Sequence, residues 1–409
     1  MRKIDPAVVV VLGGVSAALH VGKLAPALPV LARSLGVTLV EAGFLLSMVQ
    51  FAGMTLGLVS GLAADALGLK RTMVAGLVIV SAASLLGGWA PDSATLMVLR
   101  AAEGLGFLLA SMPAPALIRR LVDPSRMSVM LGLWGAYMPF GTAMALLFGP
   151  VVIALTGWPQ WWWLLGAISG AMALWVWRAV PAERPHASSD GAHGWRLRLQ
   201  QTLRAPGPWL VALTFAAYSS QWLAVIGFLP TMYAQAGLGT ALAAAATAVA
   251  AAMNMTGNIA SGRLLQRGAR AESLLYVGFA AMAAGAFLAF APLWSGVDAD
   301  LAAVLRYVAV LMFSAVGGLI PGTLFSLAVR LAPGERTVST TVGWMQQCSS
   351  LGQFAGPPLV AWMAARAGGW QWSWLVTGGC ALAGGVLAGL TGRLLRRRAG
   401  PVEGCIARS

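Results

Sequence analysis

Two pairs of ionisable residues interrupt long apolar stretches of this chain. His20 and Lys23 are three residues apart, and so are Arg100 and Glu103. Residues three apart share one face of a helix, so each pair points its groups in one direction. Ionisable groups inside such runs are costly and mark functional positions by default. Between them the two pairs hold three basic groups and one acid. A bound anion would offset the desolvation of Lys and Arg, which favours a small anionic ligand such as a carboxylate. Glu103 is the leading proton carrier and His20 the second. The plainer alternative is that Arg100 and Glu103 only neutralise each other. His20 alone is as readily a structural donor as a proton switch. Lys23 sits about sixteen residues into its run, too deep to snorkel easily to an edge.

The second half of the chain offers neutral partners. Tyr218, Ser219, Ser220 and Gln221 cluster together, and Gln346, Gln347 and Gln353 lie further on. Tyr218, Gln221, Trp344 and Gln347 join Lys23, Arg100 and His20 as candidate substrate contacts. The other polar groups read as hydrogen bonds between helices. Trp222 and Trp344 are candidates to wall a cavity. Trp158, Trp161, Trp162, Trp163, Trp370, Trp372 and Trp374 read as an aromatic belt at the membrane interface.

These residues sit in a chain of 409 residues that is 58% hydrophobic and only 10% charged, against about 25% charged in soluble proteins. Apolar segments long enough to cross a bilayer fall near 7–31, 39–62, 72–90, 94–118, 127–156, 161–178, 207–234, 240–262, 272–293, 301–329, 337–365 and 371–392. The expected fold is an all-α polytopic membrane protein of twelve transmembrane helices. The expected domains are a six-helix bundle over 1–179, a linker over 180–206, a second bundle over 207–393 and a basic tail over 394–409. No cleavable signal peptide is expected, and the first apolar run reads as a retained helix.

The net charge of +14 would suggest nucleic acid in a soluble protein. Here no basic face stands outside the apolar runs, so nucleic acid is not an expected partner. Of the 27 Lys and Arg residues, all but five fall on one side of the twelve-span plan. Arg33, Arg306 and Arg366 lie on the other side, and Lys23 and Arg100 fall within spans. That bias puts both termini and the linker in the cytoplasm of a bacterial inner-membrane protein. Cys348, Cys380 and Cys405 have neither disulfide nor metal spacing. No metal or cofactor is expected, and the protein is expected to be a monomer.

The two halves repeat. Leu28-Pro29 matches Leu229-Pro230, Gly36 matches Gly237, and Ser60-Gly61 matches Ser261-Gly262, all at an offset of 201. Later, Trp134 matches Trp344 and Gly149-Pro150 matches Gly356-Pro357. In this register Gln221 takes the place of His20, and Asn254 and Asn258 take those of Gly53 and Gly57. Two parallel repeats of this kind mark an alternating-access transporter with its substrate between the halves.

The segment Gly61-Leu62-Ala63-Ala64-Asp65-Ala66-Leu67-Gly68-Leu69-Lys70-Arg71 resembles the loop motif G-x-L-A-D-x-x-G-x-K/R-R of the major facilitator superfamily. Arg100-Ala101-Ala102-Glu103-Gly104-Leu105-Gly106 is similar to its fourth-helix motif, R-x-x-Q-G-x-G, with Glu103 in place of Gln. The resemblance implies secondary transport of a small molecule, with the first and fourth helices lining a central cavity, which would bring His20, Lys23, Arg100 and Glu103 into one cationic constellation. It also implies a conformational latch at Asp65, Gly61, Gly68 and Arg71. The second half has Gln266 where Asp65 would stand. Leu131-Gly132-Leu133-Trp134 with Tyr137-Met138-Pro139 resembles the cyanate and nitroimidazole transporter branch and sets no substrate.

Proton-linked symport of a small organic anion is favoured. Efflux of a neutral or cationic compound by proton antiport is the alternative. The cationic constellation disfavours a cationic drug, and the fifth helix lacks the G-P-x-x-G-G ending associated with antiport. A membrane receptor that no longer transports is disfavoured by the retained intramembrane charges. An enzyme is not expected, because no H-E-x-x-H, paired-Asp or G-x-S-x-G arrangement is present.

Overall fold

In the computed structural model, residues 4–123, 126, 130, 133–181, 194–334 and 337–398 are described, without the side chains of 60–67, 194–195, 339 and 398. Every regular element among the described residues is a helix. Ten helical stretches are long and apolar enough to cross a bilayer. They are Pro6–Ser34, Leu39–Val59, Leu69–Gly87, Ser93–Leu121 and Tyr137–Thr156 in the first half. In the second they are Pro206–Gln235, Thr240–Gln266, Ala271–Phe290, Ala299–Leu331 and Trp370–Arg397. We call these spans one to five, seven to ten, and twelve. Two more long helices, Trp158–Ala179 and Val338–Ala367, occupy the sixth and eleventh places. At 1.5 Å per residue they reach about 33 and 45 Å, enough to cross. Tryptophans in the sixth, and Thr, Ser and Gln in the eleventh, dilute their apolar character.

The pairing of helix ends follows the up-and-down order. At one end the Lys70 ammonium donates to Val180 O at 2.6 Å, joining spans three and six. At this end Arg126 also pairs with Asp5 at 2.9 Å, and Glu272 of span nine with Arg396 of span twelve at 2.7 Å. At the opposite end Ser93 donates to Glu41 at 3.2 Å, and the Trp370 indole to Gln235 at 2.7 Å.

The two bundles carry the repeat in their backbones. Gly36 and its match Gly237 both end a helix with positive φ, at 65° and 80°. Gly68 and Gly268, in the corresponding loops, both have φ of 90°. Only glycine adopts such angles without strain, so all four positions need that residue.

Spans one and two are each interrupted. Span one breaks after Gly22 into a 3₁₀ turn at Ala25–Ala27 and resumes at Leu28. Pro26 is the cause, having no N–H to offer the preceding turn. The Ala27 N–H bonds Leu24 O at 2.9 Å, three residues back. Span two breaks between Met48 and Phe51.

The bundles meet along a seam between spans two and eleven. Gly43, Gly53 and Gly57 let the backbones close up: a Cβ on Gly43 would stand 2.8 Å from Pro358 Cα, and one on Gly57 3.1 Å from Gln347 Cβ. The small-residue stripe at Gly53 and Gly57 thus does admit a neighbouring helix, and that helix is the eleventh. The helical backbone of span two runs to Leu67, but the side chains of Asp65 and Gly61 lie outside the described residues. Of the expected latch, Gly68 takes its left-handed conformation and Arg71 is exposed.

Candidate functional site: a buried cationic cluster

The breaks in spans one and two lie beside the four ionisable residues found in the sequence. The last carbonyls of a helix lack intrahelical partners, and here side chains take them. Arg100 Nη1 donates to His20 O at 2.7 Å, and Arg100 Nε reaches Leu45 O at 3.4 Å. The Trp161 indole N–H donates to Lys23 O at 3.1 Å. Span four comes close enough because its motif glycines have no side chain. Gly104 lies against the Val49 backbone of span two, and Gly106 against Gly76 and Val80 of span three.

His20, Lys23, Arg100 and Glu103 form one cluster, each 0% exposed. The Glu103 carboxylate bridges both cations. Oε2 accepts from Arg100 Nη1 at 2.6 Å, and Oε1 accepts from the Lys23 ammonium. The same ammonium donates to Ser84 Oγ at 2.8 Å and meets His20 Nδ1 at 3.3 Å. An ammonium has three N–H donors, and here each has an acceptor. With Nδ1 accepting, the neutral imidazole carries its hydrogen on Nε2 and donates to Ser169 Oγ at 2.9 Å. Ser169 in turn bonds Ser16 at 2.9 Å, and Ser84 donates to Trp162 O at 2.7 Å. The Trp162 ring lies 4.6 Å from Lys23 Nζ, within cation–π range.

With His20 neutral and Lys23 protonated, the cluster holds two positive charges and one negative. Arg100 Nη2 is buried and has no hydrogen-bond acceptor among the described residues.

The structure brings His20, Lys23, Arg100 and Glu103 together but places the four second-half candidates elsewhere. The Tyr218 hydroxyl accepts from Asn254 at 2.8 Å, where spans seven, eight and ten meet. Gln221 donates to Ala217 O of its own helix at 2.7 Å and lines a groove of about 260 Å³ between spans seven, eleven and twelve. Trp344 stands edge-on to Trp209 with centroids 4.8 Å apart. Gln347 belongs to the seam: its carbonyl accepts from Leu58 N at 2.9 Å and its amide donates to Met54 O at 2.8 Å. Gln50, bonded to Gln353 at 3.1 Å, extends that polar seam.

The belt reading of the Trp158–Trp163 run needs correction. Trp162 is fully buried and Trp161 nearly so, and both serve Lys23. They face the bundle interior because a tryptophan run on a helix reaches every side of it, not only the membrane side. Ser84, Ser169 and Pro26 were also missed. Serines in apolar helices carry no spacing signal, but a proline three residues after a charged intramembrane residue does.

The all-helical fold, the paired bundles and the glycine-mediated seam define a multi-pass membrane protein. The chain matches the family model of the Major Facilitator Superfamily over residues 10–357 and belongs to that superfamily. It is 34% identical over 192 residues to a puromycin resistance protein of Streptomyces alboniger, a match spanning 46% of this chain and 37% of that protein. It is 27% identical over 157 residues to the galactose-proton symporter of Escherichia coli K12, spanning 38% of this chain and 33% of that protein. These matches thus span little more than a third of the relatives' lengths. In fold it resembles a bacterial homologue of the human lysosomal transporter Spinster, solved in an inward-facing and occupied conformation. That likeness has a TM-score of 0.75 at 15% identity and covers 95% of this chain and 96% of the other.

Proposed function

We propose that this transporter moves a small organic anion together with protons, and that the buried cluster is where anion and proton meet. The observation that carries this reading is the unmatched cation. Glu103 is shared between Lys23 and Arg100, and Arg100 Nη2 is left buried without an acceptor among the described residues. An unpartnered buried donor costs about 1–3 kcal/mol, more when it is charged. A carboxylate of the substrate would supply both the missing acceptor and the missing negative charge. Arginine suits this role because its planar fork holds one carboxylate and still presents N–H groups to another. The strongly basic end of the bundle is taken as cytoplasmic, by the excess of Lys and Arg there.

The test is uptake of radiolabelled lactate, pyruvate and gluconate into proteoliposomes under an imposed pH gradient, with protein-free liposomes as control. Saturable accumulation of one of them, abolished when the gradient is collapsed, is expected. No uptake of any, under either gradient polarity, contradicts the reading.

A second reading has one observation in its favour, the 34% identity to a puromycin resistance protein over 192 residues. On that reading the chain exports a drug-like compound. Raised puromycin tolerance in cells expressing this chain, without anion uptake in vesicles, would put it first.

A further inference from the structure

We infer that Lys23 is the group that gains and loses the transported proton, so that the cluster accepts proton and anion only as a pair. This inference rests on the anion reading and goes beyond it by assigning the proton.

The charges facing Lys23 from every surrounding element are few. Lys23 itself meets His20 of span one, Ser84 of span three, Glu103 of span four and the Trp162 ring of the sixth helix, while Arg100 bonds Glu103 and the carbonyls of His20 and Leu45, and Ser169 bonds His20. No other charged side chain among the described residues pairs with this group. Glu103 is poorly placed to carry the proton. Each of its oxygens already accepts from a cationic donor, and a proton added there would remove the one negative charge that Lys23 and Arg100 share, leaving buried cations uncompensated. An arginine side chain does not release a proton in proteins. His20 has both ring nitrogens engaged, and protonating Nδ1 would set two donors, the imidazolium and the ammonium, against each other at 3.3 Å. Lys23 remains. Loss of one proton from its ammonium leaves an amine that still has two N–H donors for Ser84 and Glu103, and a lone pair. The hydrogen bond to His20 Nδ1 is given up, and it re-forms when the imidazole hydrogen moves from Nε2 to Nδ1, so that Nδ1 donates to the amine lone pair and Ser169 Oγ donates to Nε2.

The arithmetic then couples the two cargoes. With Lys23 as an amine, Glu103 and Arg100 cancel and the empty cluster is neutral. With Lys23 as an ammonium, the cluster carries one positive charge, which a monovalent anion beside Arg100 Nη2 cancels. Proton alone or anion alone leaves one uncompensated charge in a fully buried site, which is costly. The two loaded states without that cost are both or neither, as symport requires.

The chain has only three lysines, Lys3, Lys23 and Lys70. Lysine labelled with ¹³C at Cε therefore gives few resonances, and the Lys23 signal is identified by its loss in Lys23→Arg, or by elimination with Lys3→Arg and Lys70→Arg. In the full chain in micelles at alkaline pH, the Lys23 signal is expected at the amine position without ligand. It should move to the ammonium position on adding whichever of lactate, pyruvate or gluconate the wild type accumulates. In vesicles, Lys23→Arg should lose accumulation driven by the pH gradient. If the wild type accumulates an anion but Lys23 keeps one protonation state through binding, or Lys23→Arg still accumulates, the assignment to Lys23 is wrong and the anion reading stands. If the wild type takes up none of the three anions, the anion reading falls and the pairing falls with it.

Discussion

Arg100 donates to the main-chain carbonyl of His20 at 2.7 Å. A side chain of span four is thereby tied to the backbone of span one beside its break. The same Nη1 bonds Glu103, so one guanidinium sets the spacing of both ion-carrying helices. Any rearrangement that moves span one against span four must alter this contact and the charge cluster together.

The first prediction concerns that fork. Arg100→Lys keeps the charge but cannot bond His20 O and Glu103 while also presenting a free N–H pair. Half-saturation for anion exchange should rise about tenfold to a hundredfold, the equivalent of roughly 1.5–3 kcal/mol for a lost charged hydrogen bond. Unchanged half-saturation would remove Arg100 from the anion site.

The second concerns the break in span one. Replacing a proline inside a helix usually stabilises, since such a proline costs about 3 kcal/mol. Here Pro26→Ala would allow the helix to continue and to reclaim carbonyls near Lys23 that Arg100 and Trp161 now use. The thermal unfolding midpoint in detergent should fall. A rise would mean the break has no structural role.

The pairs His20–Lys23 and Arg100–Glu103 are legible from spacing along a helix, and the repeat from like residues at a fixed offset. Their meeting in one cluster was an expectation from the family resemblance, since nothing in spacing says which helices adjoin. The bridging role of Glu103 depends on helix rotation and on the approach that Gly104 permits, neither of which a single sequence reports. Gln347 was singled out as a polar group in an apolar span, but polarity alone does not separate a substrate contact from a seam between bundles. Trp162 was read as a belt residue because its neighbours Trp161 and Trp163 share its type, though not its surroundings.

A third prediction follows for Trp162. Trp162→Leu keeps an apolar side chain but removes the ring face below Lys23. Loss of a desolvated cation–π contact of about 2 kcal/mol, together with lost ring packing, should lower the unfolding midpoint. Trp162→Phe, which keeps a ring face, should recover part of it. Equal midpoints for the two variants would mean that the ring face contributes nothing.

The fourth tests the seam. Gln347 bonds Leu58 N and Met54 O, two groups one helical turn apart in span two. Gln347→Leu should speed hydrogen exchange in the peptide containing Leu58, with little change in span three. Exchange matching wild type would show that the glutamine does not hold the seam in solution.

The central claim is that one proton accompanies each monovalent anion, which makes the cycle electrically silent. Solid-supported membrane electrophysiology, paired with a pH dye trapped in the vesicles, reads both quantities in one concentration jump. With the anion that the wild type accumulates, internal pH should fall while the transport current stays near zero and the uptake rate ignores an imposed membrane potential. A sustained current carried by the anion without acidification would contradict the account, as would internal alkalinisation on substrate entry.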